Sequence, residues 1–158
     1  MGTGKSAVGH LLAKRLKCRF VDLDERIQKK AGATIAEIFA KEGEPGFRKR
    51  EAQEVKEAAE LKSHVIATGG GVMLDEANVR LLKRAGRLVC LTARPEVIFQ
   101  RTAASLPARP LLSGADSKER IEGLLKLRAP FYAQADLAVD TSDRSIRDVV
   151  DEIMEKIK

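Results

Sequence analysis

Tryptophan is absent from this chain of 158 residues, tyrosine occurs once and phenylalanine five times. So few rings leave almost nothing for base stacking, and no dense run of Lys and Arg is present. A nucleic-acid binder is therefore not expected, despite a net charge of +6. No window approaches the roughly eighteen apolar residues of a membrane span, which excludes a transmembrane helix. The opening residues Gly2, Thr3, Gly4 and Lys5 are not the apolar run of a signal peptide. Only two cysteines occur, Cys18 and Cys90, far apart and each in or beside an apolar stretch. A disulfide framework is not expected, and a reducing cytoplasm is the expected location. Twelve glycines and five prolines are too few for collagen or low-complexity disorder.

What is present suits one domain. Apolar residues make up 44% of the chain, enough for one core, and charged residues 33%. The positive balance favours anionic partners. Arg48, Arg101, Arg109 and Arg128 stand apart along the chain, which suits separate anionic contacts in a pocket, or plain surface positions.

Short apolar runs alternate with helical periods, the pattern of an α/β protein with parallel strands. The spacing predicts helices over Ser6–Leu16, from Thr34 through Phe39, from about Phe47 to Leu61, from Asp75 to Gly86, over Glu96–Thr102, up to about Arg128, and from Ile146. Thr34 and Glu37 have the form of a capping box, and Asp75 that of an N-cap. Strands are predicted at Arg19–Leu23, His64–Ala67, Leu88–Leu91 and Leu137–Val139. Residues 103 to 117 hold two prolines, a glycine and little periodicity, and read as a loop.

Gly2-Thr3-Gly4-Lys5-Ser6, followed by Ala7 and a helix, looks like the second half of a phosphate-binding loop, G-x-x-x-x-G-K-[ST]. Glycines let successive N–H groups point at phosphate oxygens without Cβ clashes. Lys5 would bridge β- and γ-phosphates, and the Ser6 hydroxyl would meet Mg²⁺. Asp22 and Asp24 lie two apart at the end of a strand, on one face if the strand persists. One would sit near Mg²⁺ and the other would accept from a substrate hydroxyl. Alternatively, Asp24 caps the next helix. Gly69-Gly70-Gly71 after a strand suggests an amide cradle for an oxygen-rich ligand, where a tight turn alone would need fewer glycines. Arg48 after Phe47 and Arg128 before Ala129-Pro130-Phe131-Tyr132 suit bidentate recognition of a carboxylate, or ordinary ion pairs. Arg109, in the irregular segment with Arg101 upstream, suits a lid that brings charge to a phosphoryl group, or a basic loop.

In this order, Gly2–Ser6, Asp22-x-Asp24, Phe47-Arg48, Gly69–Gly71, Arg109-Pro110-Leu111-Leu112 and Leu127-Arg128 with Tyr132 resemble the shikimate kinase family across essentially the whole chain. The resemblance implies a P-loop fold like the nucleoside monophosphate kinases, with a parallel sheet in the order 2-3-1-4-5. It implies one kinase domain over residues 1–158, a substrate-binding helical insertion at about 24–61, and a lid at about 103–117. It implies transfer of the ATP γ-phosphoryl group to the 3-hydroxyl of shikimate, in the pathway to chorismate and the aromatic amino acids. Carried over by position, Asp24 would hold and orient the attacking hydroxyl, and Arg48 and Arg128 would grip the shikimate carboxylate. Gly69, Gly70 and Gly71 would lie by its hydroxyls. Gly2, Thr3, Gly4, Lys5, Ser6 and Ala7 would surround the ATP phosphates. Ser6 would bind Mg²⁺ directly and Asp22 through water, with Arg101 against adenine and Arg109 reaching from the lid. A cytoplasmic monomer is the expected form. A related small-metabolite kinase, such as one acting on gluconate, and a non-catalytic truncated domain are the rival readings.

Family members carry a first strand and an opening glycine before the point at which this sequence starts. Losing that strand would remove about five buried apolar side chains at ~1.5–3 kcal/mol each. That total, roughly 7–15 kcal/mol, rivals a typical domain's whole stability. The expectation is that Met1 is an internal methionine, and that a chain from Met1 binds ATP weakly or not at all.

Overall fold

The computed structural model describes residues 2–103 and 117–157; Arg109 and the expected lid lie outside them. The element order is α1 (Lys5–Leu16), β1 (Arg19–Asp22), α2 (Leu23–Ala31), α3 (Ile35–Ala59), β2 (His64–Ala67), a 3₁₀ turn (Val72–Leu74), α4 (Glu76–Ala85), β3 (Val89–Thr92), α5 (Pro95–Thr102), α6 (Ser117–Tyr132), β4 (Leu137–Asp140) and α7 (Ile146–Lys156). Each predicted strand and helix occurs with ends shifted by a few residues, but the helices predicted over 34–39 and 47–61 form one element, and α2 was not among the predicted helices.

The ends that fit best have short-range causes. The Thr34 hydroxyl accepts from Glu37 N–H while Glu37 returns to Thr34 N–H at 2.7 Å, a closed capping box. Asp75 caps α4 by accepting from Ala77 N–H, and Gly86 ends it. The segment from Thr34 to Ala59 is one long helix broken at Gly43, whose φ of 70° and ψ of −179° no helix accommodates. Pro45 then sits in the first turn after the break, where a missing N–H costs nothing.

Two ends differ from expectation. Leu23 does not extend the first strand: Asp22 accepts from Asp24 N–H and thereby caps α2, which starts at Leu23. Asp24 is therefore neither on a strand face with Asp22 nor the cap itself; it lies in the first turn of α2. Helix α6 runs past Arg128 and through Pro130 to Tyr132.

The strands form two parallel pairs. β1 lies beside β2 with Arg19 opposite His64 and Asp22 opposite Ala67. β3 lies beside β4 with Val89 opposite Leu137 and Thr92 opposite Asp140. The inner members, β2 and β3, are not hydrogen-bonded to each other or to a third strand among the described residues. Helices cover both faces, as parallel sheets require. On one face Val8 and Leu12 of α1 pack with Val139 of β4 and with Val149, Val150 and Ile153 of α7. On the other, Leu23, Val55, Ala58, Val72 and Leu82 join α2, α3, the 3₁₀ turn and α4. Ile27, Ile38 and Phe47 form a separate small core where α2 folds onto α3. That junction is pinned by buried Glu54, which receives Arg26 at 2.7 Å and Lys30 at 2.5 Å. Cys18 and Cys90 are both free. Among the described residues, no helix is long and apolar enough to cross a membrane.

Candidate active site

The nucleotide side is built on the start of α1. Gly4 caps that helix with φ 84°, and Gly2 has φ 61°. Both values lie in the left-handed region that glycine enters without strain. A Cβ on Gly2 would also come within 2.7 Å of Thr102 Cγ2, so the turn lies flush on α5. The free N–H groups and the dipole of a helix start face this turn, an arrangement made for anions. Ser6 Oγ donates to Asp22 Oδ2 at 2.7 Å, while Asp22 Oδ1 accepts from Asp24 N–H at 3.0 Å. One carboxylate thus ties the helix start to the end of β1. Two hard oxygen donors side by side suit Mg²⁺, which takes one or two protein oxygens and completes its shell with phosphate and water. Among the described residues, no cluster of three His, Cys, Asp or Glu could hold a metal by itself.

The second side is built around the glycine triplet that follows β2. A Cβ on Gly69 would stand 2.5 Å from Glu51 Oε1 and 3.2 Å from Asp24 Oδ1. One on Gly71 would overlap the Arg48 guanidinium. Here glycine is required for space, because polar side chains occupy the room a methyl group would need. Arg48 donates from Nη1 to Glu51 Oε2 at 2.7 Å, and from Nη2 to Glu44 Oε1 at 2.9 Å. Its guanidinium also lies 5.4 Å from the ring centre of the buried Phe47. Tyr132 donates its hydroxyl to the Gly70 carbonyl at 2.8 Å, fastening the end of α6 to the triplet.

Arg128 and Glu51 are both buried, with 5% and 1% of their surface exposed. Each keeps a buried atom without a partner: Arg128 Nε, a donor, and Glu51 Oε1, an acceptor. Burial pushes the Glu51 carboxyl above its ordinary range. Arg48 opposes that shift, the Asp24 charge reinforces it, and Arg128 pulls it back again. Four charges therefore share one small volume. A cavity of about 730 Å³ opens beside them, lined by Arg48, Glu51 and Gly71. Gly69, Gly70, Arg128 and Tyr132 face a second cavity that Thr3 and Lys5 also line, so both halves of the site meet at the triplet.

Of the residues singled out from the sequence, the structure brings together Asp24, Arg48, the triplet and Arg128 on one side. Gly2 to Ser6 with Asp22 form the other. Ala7 follows them in the first turn of α1. Arg101 is held by Thr141, at 2.9 Å to Oγ1 and 2.7 Å to the carbonyl, beyond the end of β4. Glu51, Glu44 and the Tyr132 hydroxyl were not foreseen as parts of the site. The spacing of Arg48 from Glu44, four before it, and from Glu51, three after it, on one helix could have pointed to two of them.

The comparisons agree with this geometry. The family model described as shikimate kinase matches residues 1–158. A shikimate kinase from Symbiobacterium thermophilum is 50% identical over all of this chain and 92% of its own length. One from Caldanaerobacter subterraneus subsp. tengcongensis is 47% identical over 98% of this chain and 90% of its own. Among solved structures, shikimate kinase from Acinetobacter baumannii in complex with shikimate superposes with a TM-score of 0.95 at 40% identity. That match covers 99% of this chain and 88% of the other. The shikimate kinase of Aquifex aeolicus gives a TM-score of 0.84 at 37% identity, over 98% and 90%. Matched by the family model over its whole length and by relatives at 50% and 47% identity, this chain belongs to the shikimate kinase family.

Proposed function

We propose that the chain transfers the γ-phosphoryl group of ATP to the 3-hydroxyl of shikimate. The observation that carries this reading is the convergence of Asp24, Arg48, Glu51 and Arg128 on the glycine triplet, with Lys5 on the adjoining cavity and Ser6 bonded to Asp22. A small cyclic acid bearing hydroxyls needs a cationic grip for its carboxylate and acceptors for its O–H groups. Arg48 and Arg128 supply the first, and Asp24 the second. The unpartnered Arg128 Nε and Glu51 Oε1 are a donor and an acceptor of the kind such a ligand would satisfy.

In this reaction the shikimate oxygen forms a bond to the γ-phosphorus as the bond to the β,γ-bridging oxygen breaks, and ADP leaves. Asp24 accepts the hydrogen bond of the attacking hydroxyl, and the proton departs along it. The first turn of α1, through the amides around Gly4 and the Lys5 ammonium, holds the phosphates; Gly2, Thr3 and Ala7 complete that cradle. Ser6 and Asp22 are the residues that would hold Mg²⁺, Asp22 through water; when bound, the ion neutralises phosphate charge. Arg101 is assigned to the adenine and Arg109 to the transferring group. The helical segment at about 24–61 serves the acid, and residues 103 to 117 form a lid within a single domain over 1–158. The enzyme works as a cytoplasmic monomer.

Two measurements test this reading. Calorimetry without nucleotide is expected to show shikimate binding, and a coupled assay of ADP release is expected to show turnover with shikimate but not gluconate. Turnover with gluconate alone, or no binding of shikimate, would overturn it.

A further inference from the structure

Asp24 stands on α2, whereas Arg48 and Glu51 stand on α3, so the site is only as precise as the seat of one helix on the other. Around a helix, successive residues turn by about 100°. On α2 the buried Ile27 therefore lies between Asp24 on one edge and Arg26 and Lys30 on the other. On α3 the buried Val55 and Ala58 lie between Arg48 on one edge and Glu54 and Glu57 on the other. The packed pair thus has a reactive edge and an ionic edge, divided by a strip of apolar contact.

The ionic edge is a closed ring of four charges. Arg26 donates from Nε to Glu54 Oε2 at 2.7 Å and from Nη2 to Glu57 Oε2 at 3.0 Å. Lys30 reaches Glu54 Oε1 at 2.5 Å and Glu57 Oε2 at 2.6 Å. Each carboxylate spans both cations, and each cation both carboxylates. Gln53 donates to the other Glu57 oxygen at 3.1 Å. The partners are four apart on α2 and three apart on α3, about one turn of each helix. A single ion pair would act as a swivel, whereas two rungs one turn apart fix both rotation and sliding. The apolar strip alone fixes neither, because burial of apolar surface has no preferred direction.

Stability is a poor reason for this ring. Glu54 is only 2% exposed, and the desolvation of a buried pair can exceed its attraction. Apolar residues of similar volume at 26 and 54 would hold the helices together as well or better. What they would not supply is register. We propose that Glu54, with Arg26, is a positioning residue for the transfer: it sets the rotation of α2 on α3 and so holds Asp24 against Glu51 and Arg48. The position a Cβ on Gly69 would take lies 2.5 Å from Glu51 Oε1 and 3.2 Å from Asp24 Oδ1, so the two carboxylates flank one spot. The inference rests on the role given to Asp24 in phosphoryl transfer, where a misplacement of about 1 Å can cost about 10²-fold in rate.

The test is the double variant Arg26→Leu with Glu54→Leu, which removes the pair without leaving either charge alone. Its Tm is expected to stay within a few degrees of the parent's. Glu54→Gln, which keeps the shape, is measured beside it as the variant less able to disturb folding. In each, kcat with shikimate is expected to fall about ten- to hundredfold. KM for shikimate and for ATP should change less than about threefold, since Arg48, Arg128 and the phosphate turn are untouched.

A second readout needs no substrate. The Glu51 carboxyl is faced by Arg48 on its own helix, Asp24 on α2 and Arg128 on α6; burial chiefly lifts it, and the Asp24 charge lifts it further. Carboxyl-carbon NMR titration of Glu51 is recorded with and without Asp24→Asn, in the parent and in each variant. The change that Asp24→Asn causes at Glu51 is expected to shrink by at least half once the ring is broken. Comparison within one background cancels the direct field of residues 26 and 54. An undiminished change overturns the inference whatever the enzyme phosphorylates, and so does unaltered kcat beside a parent that turns over shikimate. A parent inactive on shikimate would overturn the proposed transfer instead, and the Glu51 titration then decides how Asp24 is held.

Discussion

The Arg48 guanidinium and Gly71 share one space: the Nη1 that donates to Glu51 at 2.7 Å stands where a side chain at position 71 would begin. The salt bridge is made possible by a missing methyl group on the neighbouring loop. Glycine at 71 and arginine at 48 are in that sense one feature, although 23 positions separate them.

Gly71→Ala is expected to push the Arg48 side chain aside without unfolding the protein, since the displaced atoms end a flexible side chain. Losing one charge-assisted hydrogen bond costs about 1.5–3 kcal/mol. Steady-state kinetics should show KM for shikimate rising about ten- to hundredfold, with KM for ATP nearly unchanged. A rise confined to ATP would place Arg48 outside the substrate grip.

Asp24→Asn keeps shape and removes the acceptor charge. If Asp24 orients and deprotonates the hydroxyl, kcat falls by about 10²–10⁴, while nucleotide affinity stays close to that of the parent. The fold should tolerate the change, since a carboxylate in the first turn of a helix is worth about 0.3–1 kcal/mol. Unaltered turnover would remove Asp24 from its assigned role.

Glu51→Gln separates burial from pairing. Burial holds the Glu51 carboxyl above its ordinary value of 4.5, so the folded protein binds this proton more tightly than the unfolded chain. The stability from that proton is present below the unfolded pKa and is lost as pH rises through the folded one. Glutamine does not titrate. Urea unfolding should therefore find the stability gap, parent minus variant, shrinking as pH rises from about 4 to about 7. A gap that widens over this range would mean that the Arg48 pair outweighs burial.

Tyr132→Phe removes the hydroxyl that reaches the Gly70 carbonyl at 2.8 Å. The expected cost is about 1 kcal/mol, a fall in Tm of roughly 2–4 °C for a domain of this size. Loosening the triplet should also raise KM for shikimate, which kinetics on the same variant would reveal. A variant with normal Tm and normal KM would show that the bond contributes to neither.

Much of the fold was legible because its signals are local. The capping box at Thr34 and Glu37, the cap at Asp75 and the stop at Gly86 all act within a few residues, through hydrogen bonds to nearby backbone. The start of α2 was misread for a related reason. Asp22 and Asp24 fit either a strand of period two or a cap, and the contact with Ser6, sixteen residues away, favours the cap.

The site was legible only in part. Arginines, aspartates and glycines announce themselves by type and by order. Glu51 does not, since a glutamate on a charged helix reads as a solvated one. Its burial follows from the packing of α3 beneath the triplet, and its raised pKa from charges at 24, 48 and 128 that chain distance hides.

By itself, then, the sequence determined the helix ends that carry local caps, most of the charged residues of the cleft, and the family to which the chain belongs. Tertiary structure alone decided that Gly69 and Gly71 are glycine for want of space, and that Glu51 is buried and coupled. Backbone preferences act over a turn or two of chain, whereas volume, burial and field are set by whichever distant residues packing brings into contact.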